Sequence, residues 1–578
     1  MVSLALALLL ARPPAAAAVT VPAPDEPAIA DDDGETISSN DSRRVSWSLT
    51  STNRNSVAGG RTRVSAVVSA PSPRSGYGLL QVEVDNSLGP DGTVRLVYSS
   101  NNAGARPAQK LVPVRAGERR QVLMPVPFHW RYGTLRASGA GIDETHNASV
   151  YFNAVYPVQP VVLSLGSESE TEHFLKSRPQ NNTGKSNITV VTLPAAQAPT
   201  ELAAYVGFDA VLLPKLGLES LAEGQRAALE GYAATGGTLV LGTVSRAVEQ
   251  ALPLLADDGH GTYGFGRVVR CNDCTLVLGD FSHQVPVTPS NVGTLGNRYR
   301  YMGTSGDEST PLLPQATVPV ARFLVIILLF TLAIGPGSVF VARRRGPSAL
   351  LVTVPATAFA TCVLIIGIAA FRDGFTVHAS AQGYTLLDSA RHRAITVGNT
   401  AYYANLAPSG AQLPVTTAVV GPTNESGEPY ATSLDWTQGL ALGGDFVPSR
   451  TYREWGFLAV EPTRARVVVK EAGGQVRVQN ALGAPVSSLA VALGTQVYVV
   501  KGLRDGEEGV AQPDGLPELA LSRAAAARFA EPVRDRLSAQ LRSGEFVAAL
   551  EGQGFTPTAG LRVSHSDSAH LVRGEVER

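Results

Sequence analysis

A chain of 578 residues is long enough for roughly three or four domains. Its net charge of −1 gives no electrostatic case for nucleic-acid binding, and its three cysteines exclude a disulfide-rich scaffold. Only six of the 48 basic residues are lysine, and Ala, Gly and Pro are plentiful, which reads as the coding bias of a GC-rich bacterial genome.

Residues 1–18 hold a short apolar stretch, then Arg12-Pro13-Pro14 and an alanine run. That is the pattern of a signal peptide or signal anchor, although no Lys or Arg precedes the apolar stretch. The domain that follows is therefore expected outside the cytoplasm. Residues 19–44, with Asp31-Asp32-Asp33, have too little apolar content to pack and read as a flexible leader. Residues 45–158 carry short runs of β-formers at 64–68, 80–84, 93–98 and 121–126, separated by turn signals such as Gly89-Pro90-Asp91-Gly92. They predict a β-sandwich of immunoglobulin-like size with no cysteine pair to pin it.

Residues 159–319 change character. The runs 161–165 and 187–192 read as buried strands, and 210–213 as another. A helix over 221–233 puts Leu221, Ala228, Leu229 and Tyr232 on one face; Thr235-Gly236-Gly237 ends it, and 238–241 is the next strand. Strand, helix, glycine stop and strand make a βαβ unit, which predicts a parallel sheet with covering helices. The stretch GFDAVLLPKLGLESLAEGQRAALEGYAATGGTLVLG, residues 207–242, resembles the class I glutamine-amidotransferase-like fold, a flavodoxin-like α/β domain found in exported regions of many bacterial membrane proteins. The domain around it covers about a fifth of the chain. True members carry a nucleophilic cysteine in a Gly-x-Cys-x-Gly turn, helped by a His and a Glu. No cysteine lies between Gly237 and Arg270, so the resemblance implies a catalytically empty member with no cofactor.

Two apolar runs follow, 323–342 and 350–371, and neither holds a charged residue. Each is long enough to cross a ~30 Å hydrocarbon core as a helix. Together they predict a two-helix transmembrane hairpin over 320–372. The short link contains Arg343, Arg344 and Arg345, against single arginines (Arg322, Arg372) on the outer flanks. The positive-inside rule places that link in the cytoplasm and both large regions outside it, on a bacterial inner membrane. Gly335-Pro336-Gly337 and Pro355 are expected to kink the helices. No ionisable residue marks an ion or proton path, so the pair reads as an anchor in membrane lipid, or as a surface for a partner helix.

Residues 373–512 again show strand-like runs, at 466–470, 475–478 and 496–500, and predict a second β-sandwich. In 513–578, Val533, Leu537 and Leu541 recur at i, i+4 and i+8, which predicts a helical C-terminal appendage broken by Pro532 and Ser543-Gly544.

Candidate chemistry is sparse. Cys271-Asn272-Asp273-Cys274 has strand-like flanks and a good hairpin loop between the thiols. Cys271 and Cys274 are expected to form a structural disulfide or to stand idle, a labile disulfide being the alternative. A zinc site lacks its second pair of ligands, because Cys362 falls inside an apolar run. Gly264-Phe265-Gly266-Arg267 lacks the third glycine and following helix of a dinucleotide fingerprint and reads as a tight turn. Asp280, His283 and His260 lie near one another without a serine in a nucleophile elbow. Tyr301, Trp436 and Trp455 are isolated aromatics, expected to pack rather than to line a sugar site. The sequons at Asn147 and Asn187 carry no meaning in a bacterial chain.

No catalytic, cofactor or metal residue is assigned. The leading reading is a non-enzymatic accessory or scaffold subunit of an envelope complex with an unidentified protein partner. The domain order resembles auxiliary proteins of bacterial ABC transport systems, those of the gliding-motility type among them. The second reading is a cell-wall or carbohydrate binding module, resting on the paired β-sandwiches. The third is a cryptic hydrolase of the α/β domain, at Asp280 and His283.

Overall fold

The structure is a computed structural model that describes residues 47–49, 53–68, 76–101, 106–127, 130, 132–152, 161–175, 188–215, 217–242, 260–270, 312–313, 320–373, 376–420, 432–444, 446–514, 540–565 and 568–578. These residues are mostly β-strand, in several sheets, with few helices.

The first sandwich forms because apolar side chains alternate. Along β4 (Tyr77–Asn86), Leu80, Val82 and Val84 turn inward while Gln81, Glu83 and Asp85 stay half-exposed. One of its sheets runs β7 (Glu118–Pro127), β4, β3 (Arg63–Val68), β2 (Asn53–Gly60), β9 (Ile142–Thr145). The other runs β10 (Ala148–Tyr151), β8 (Tyr132–Gly139), β5 (Gly92–Ser100), β6 (Ala108–Val114). This second sheet does not stop at β6. It continues through β21 (Thr432–Asp435), β22 (Leu440–Gly444) and β19 (Ala411–Leu413), from the far side of the apolar segment. β21 runs parallel to β6, with Leu434 opposite Ala108 and Asp435 opposite Gln109.

A parallel sheet packs against the sandwich. β11 (Val161–Leu165), β13 (Ala210–Leu213) and β14 (Thr238–Leu241) are buried at every residue, as strands covered on both faces must be. With β1 (Trp47–Leu49), β12 (Ile188–Leu193), β15 (His260–Tyr263) and β16 (Gly266–Arg270) the order is β1-β12-β11-β13-β14-β16-β15, and only β15 runs antiparallel. β1, expected in the sandwich, pairs instead with β12. Among the described residues, the α-helices of this layer are α1 (Glu168–Leu175) and α2 (Glu223–Ala234). Gln225 accepts the Ala222 N–H at 3.1 Å and starts α2. Thr235 caps its end by donating to the Gly231 carbonyl at 2.8 Å. A side chain at Gly237 would collide with the Tyr232 ring, which is why the stop is glycine. Burying Leu229 and Tyr232 is worth about 1.5–3 kcal/mol each.

The apolar segment is α3 (Val320–Leu332), a π-helical turn at Ala333–Gly337, α4 (Ser338–Arg345) and, after Gly346, α5 (Leu350–Asp373). The π turn falls where Pro336 removes a donor and its ring displaces the preceding carbonyl. The helix Leu324–Arg345, 22 residues, is long and apolar enough to cross a membrane, and none of its most apolar window is buried.

β17 (Val377–Asp388) and β18 (Arg393–Ala404) form a long hairpin that joins the two halves of a 12-stranded sheet. On one side lie β23 (Arg453–Pro462) and β20 (Thr417–Val420). On the other are β31 (Ala569–Glu575), β29 (Glu545–Glu551), β26 (Val486–Leu493), β27 (Gln496–Leu503), β28 (Glu508–Pro513), β25 (Gln475–Ala481) and β24 (Arg466–Ala472), while β30 (Val563–His565) pairs with the start of β17. The strand run closes on itself, because Glu577 exchanges backbone hydrogen bonds with Val467 and Val469 of β24 at 2.8 Å. Val478, Leu489, Val491 and Phe546 fill its core. Of the helical appendage expected over 513–578, the described part beyond residue 540 is corrected: it is strand. Phe546, Ala548 and Leu550 point inward at period two, so β29 is a strand and β31 pairs beside it. Val533 and Leu537 lie outside the described residues.

Nor are the parts before and after the apolar segment separate arms. Tyr77 donates to the Val419 carbonyl at 2.7 Å, the Leu202 N–H donates to the Val415 carbonyl at 2.9 Å, and one continuous core runs through both parts.

Candidate functional site

Ligands of open α/β sheets bind beyond the carboxyl ends of the strands, where the strand order reverses. Here that place lies between β11 and β13. Ser167 and Glu170 cap α1 reciprocally: the Ser167 N–H donates to Glu170 Oε2 at 3.0 Å, and the Glu170 N–H donates to Ser167 Oγ at 3.2 Å. Lys215, following β13, pairs with Glu170 at 3.3 Å. The Ser167 backbone N–H, then Lys215, hold the Glu170 carboxyl below its usual range. At the helix end that elsewhere holds a phosphate, one N–H thus goes to the helix's own carboxylate and one to the Ser167 hydroxyl. The floor is filled as well. A Cβ on Gly242 would sit 2.3 Å from the Pro214 carbonyl and 2.5 Å from the Phe174 ring.

The parallel layer meets the C-terminal sheet at an ionic cluster. Arg393 Nε donates to Asp388 at 3.0 Å, its guanidinium lies 3.4 Å from Glu230 of α2, and it bonds the Tyr263 hydroxyl. Burial drives the Tyr263 hydroxyl up, partly offset by Arg393. The cluster has every mark of a clasp between layers and no group free to act on a substrate.

A second polar cluster is fully buried and neutral. His570 Nε2 lies 2.8 Å from Thr385 Oγ1, which lies 2.8 Å from Thr396 Oγ1, and His570 Nδ1 lies 3.3 Å from Thr556 Oγ1. Burial lowers the His570 pKa to about 3, so the ring is neutral at physiological pH. Gly383 and Gly554 make room for it: a Cβ on either would come within 2.4 or 2.3 Å of the imidazole. Sequence reasoning did not find this cluster. Its only local signal is glycine at two positions that pack against another side chain.

The residues singled out from sequence scatter. Cys271, Cys274, Asp280, His283, Tyr301 and Asn187 lie outside the described residues. His260 is in β15, and Gly264 and Phe265 turn the β15–β16 hairpin, as the motif predicts. Trp436 and Trp455 are core residues: Trp436 meets Tyr77 edge-on at 5.5 Å, and Trp455 Nε1 donates to the Phe446 carbonyl at 3.1 Å. Asn147 accepts from Arg136 Nε at 2.8 Å. Arg343, Arg344 and Arg345 form the last turn of α4, with the Arg344 guanidinium 4.4 Å from the centre of the Phe340 ring. Among the described residues no group of His, Cys, Asp and Glu is arranged to hold a metal ion.

No family model matches this chain, and no curated protein matches it. Among solved structures, a β-glucosidase from Listeria innocua in complex with glucose matches at TM-score 0.10 and 10% identity, over 18% of this chain and 16% of its own. A Paenibacillus cycloisomaltooligosaccharide glucanotransferase matches at TM-score 0.11 and 14% identity, over 29% and 20%. A Bacteroides uniformis β-glucuronidase 2 matches at TM-score 0.12 and 12% identity, over 34% and 29%. The chain thus matches less than a third of the length of each, and likeness at these TM-scores carries no argument about fold or chemistry.

Proposed function

We propose that this chain is a membrane-anchored, non-enzymatic envelope protein acting as an accessory or scaffold subunit of a membrane complex, with an ABC-type transporter as the first partner to test. The observation that carries the reading is the pairing of β6 with β21, strands on opposite sides of the apolar segment. Strands that share a hydrogen-bond ladder lie in one compartment, so the chain between them crosses the bilayer an even number of times. α3–α4 supplies one leg. α5, 24 residues and about 36 Å long, supplies the other. Arg343, Arg344 and Arg345 then lie on the cytoplasmic side and the body outside, exported by the segment 1–18. The parallel order β12-β11-β13-β14-β16 supports reading this layer as a flavodoxin-like, amidotransferase-like domain without its nucleophile. Its filled crevice supports a binding role over a catalytic one.

The test is crosslinking of the full-length protein in its native membrane, followed by purification in mild detergent and mass spectrometry. A stoichiometric membrane-protein partner is expected; recovery of the protein alone removes the scaffold reading. A second reading, a cell-wall or carbohydrate binding module, is favoured by one feature. Tyr132 and Tyr151, 50% and 43% exposed, stand cross-strand with ring centres 4.6 Å apart. Failure of the purified protein to bind isolated wall polymer would remove it.

A further inference from the structure

Both ends of the apolar segment tie to one rim of the body. After α5, β17 begins at Val377, four residues past Asp373, a reach of at most about 14 Å. Before α3, Leu312 and Leu313 are buried against Ala401, Tyr403 and Tyr452, and the Leu312 N–H donates to the Tyr452 hydroxyl at 3.1 Å. Ala401 and Tyr403 lie in the last four residues of β18, whose final residue Ala404 lies opposite Val377. The two tethers therefore mark the same end of the β17–β18 hairpin.

That rim has an unusual surface. Leu406, two residues past β18, is 60% exposed beside an exposed Ala407. Arg450 is exposed and pinned next to it: its N–H donates to the Ala404 carbonyl at 2.7 Å, and Ser449 Oγ donates to the Asn405 carbonyl. Arg450 holds φ at +56°, a conformation that costs a side-chain-bearing residue strain and fixes where it emerges. On the other flank of β17, exposed Arg562 precedes Val563, which also lies opposite Val377. The segments 405–410, 446–453 and 559–564 contain no acidic residue; Asp445 and Glu454 border 446–453, and Glu454 is buried and accepts from the Tyr452 hydroxyl at 2.8 Å.

We propose that this rim seats directly on an anionic bilayer, with Leu406 entering the interfacial layer and Arg450 and Arg562 meeting lipid phosphates. The proposal rests on the hairpin reading above. An apolar tip flanked by guanidinium groups is the chemistry that a headgroup region accepts, and polybasic contacts strengthen with anionic lipid.

The test uses full-length protein carrying Leu406→Trp, reconstituted in vesicles of phosphatidylcholine and phosphatidylglycerol with and without brominated acyl chains. The added emission is read as the difference from the unsubstituted protein. Ala390→Trp is the control, in the turn at the other end of the 12-residue β17, about 40 Å away at ~3.3 Å per residue. At least twofold quenching at position 406 and none at 390 is expected. Equal quenching at the two positions overturns the proposal. Adding Arg450→Glu with Arg562→Glu is expected to halve the quenching at 406 in anionic vesicles and to leave it unchanged in phosphatidylcholine alone; no change in either overturns the phosphate contact. Vesicle flotation separates the two readings. Protein that fails to float sinks the hairpin and the rim together, whereas floating protein with an unquenched tryptophan at 406 sinks the rim alone.

Discussion

The apolar helices and the β-rich body draw on the same stock of Leu, Val, Ile and Ala and turn it in opposite directions. In the body, Val478, Leu489 and Phe546 have no exposed surface. In the helices, Leu351, Val352 and Phe359 are 81%, 71% and 72% exposed. Composition does not separate the two regions; period and continuity do. Strands that alternate, or that sit covered on both faces, aim their apolar side chains at one another. A helix apolar on every side has no polar face to give to water and needs a nonpolar surround.

Excision tests the contrast most severely. Replacing residues 320–373 with a Gly/Ser linker of about 15 residues should release a body that stays in solution without detergent and melts within a few degrees of the parent, since β6 and β21 already join its halves. Aggregation, or lost strand signal by circular dichroism, would mean that the helices are part of the body's fold.

Acid should weaken the body through His570. Its folded pKa, about 3, lies below the unfolded value near 6.5, so as pH falls the unfolded chain takes the proton first. Stability from this group is complete above pH ~6.5 and falls by about 1.4 kcal/mol per unit until pH about 3, where the loss levels off. Denaturant midpoints of the body from pH 7 to 4 should follow that slope, and His570→Asn should flatten it.

Gly554→Ala is expected to cost about 3 kcal/mol, because it places a methyl 2.3 Å from the imidazole at φ +58°. A loss below 1 kcal/mol in the same denaturation assay would show that the ring can move aside. Arg393→Ala should cost less, about 1 kcal/mol, because Glu230 keeps Arg226 at 3.9 Å and Asp388 keeps Arg391 at 3.3 Å in a cluster that solvent still reaches. An equally small effect is expected at the joint between halves. Gln109 donates to Asp435 at 2.7 Å and accepts from Arg95 at 2.7 Å, so Gln109→Ala should remove about 1 kcal/mol. No change in midpoint would show that the Gln109 side chain adds nothing to that joint.

Much of this was legible locally. The runs at 161–165, 210–213 and 238–241 are buried strands, apolar except for Ser164 and Thr238, and the helix before the last of them shows its buried face in Leu229 and Tyr232. The two apolar helices, and a break at Pro336, could be read directly. What escaped was nonlocal or ambiguous. β1 pairs with β12, and β6 with β21, across spans for which neither strand carries a signal. Over 545–551 the sequence Glu-Phe-Val-Ala-Ala-Leu-Glu suits a helix as well as a strand; its neighbours β26 and β31 decide. The hydroxyl–imidazole cluster joins Thr385 to His570, 185 positions apart. The packing of Phe174 and Pro214 against Gly242 at the strand ends likewise carries no local signal.

The close coupling of α5 to β17 has a mechanical side. Only residues 374–376 separate the helix from the sheet, and Leu312 and Leu313 dock the other leg at the same rim. A body held at one point can spin about its stalk. On the proposed topology, a body held at two adjacent points has less freedom to yaw, and a tilt of the helix pair would pass through the three residues 374–376 to the long β17–β18 hairpin. On that same topology, the far end of the β17–β18 hairpin, where Arg393 grips Glu230, moves through the widest arc, so a small rotation of the helix pair would displace the parallel layer most.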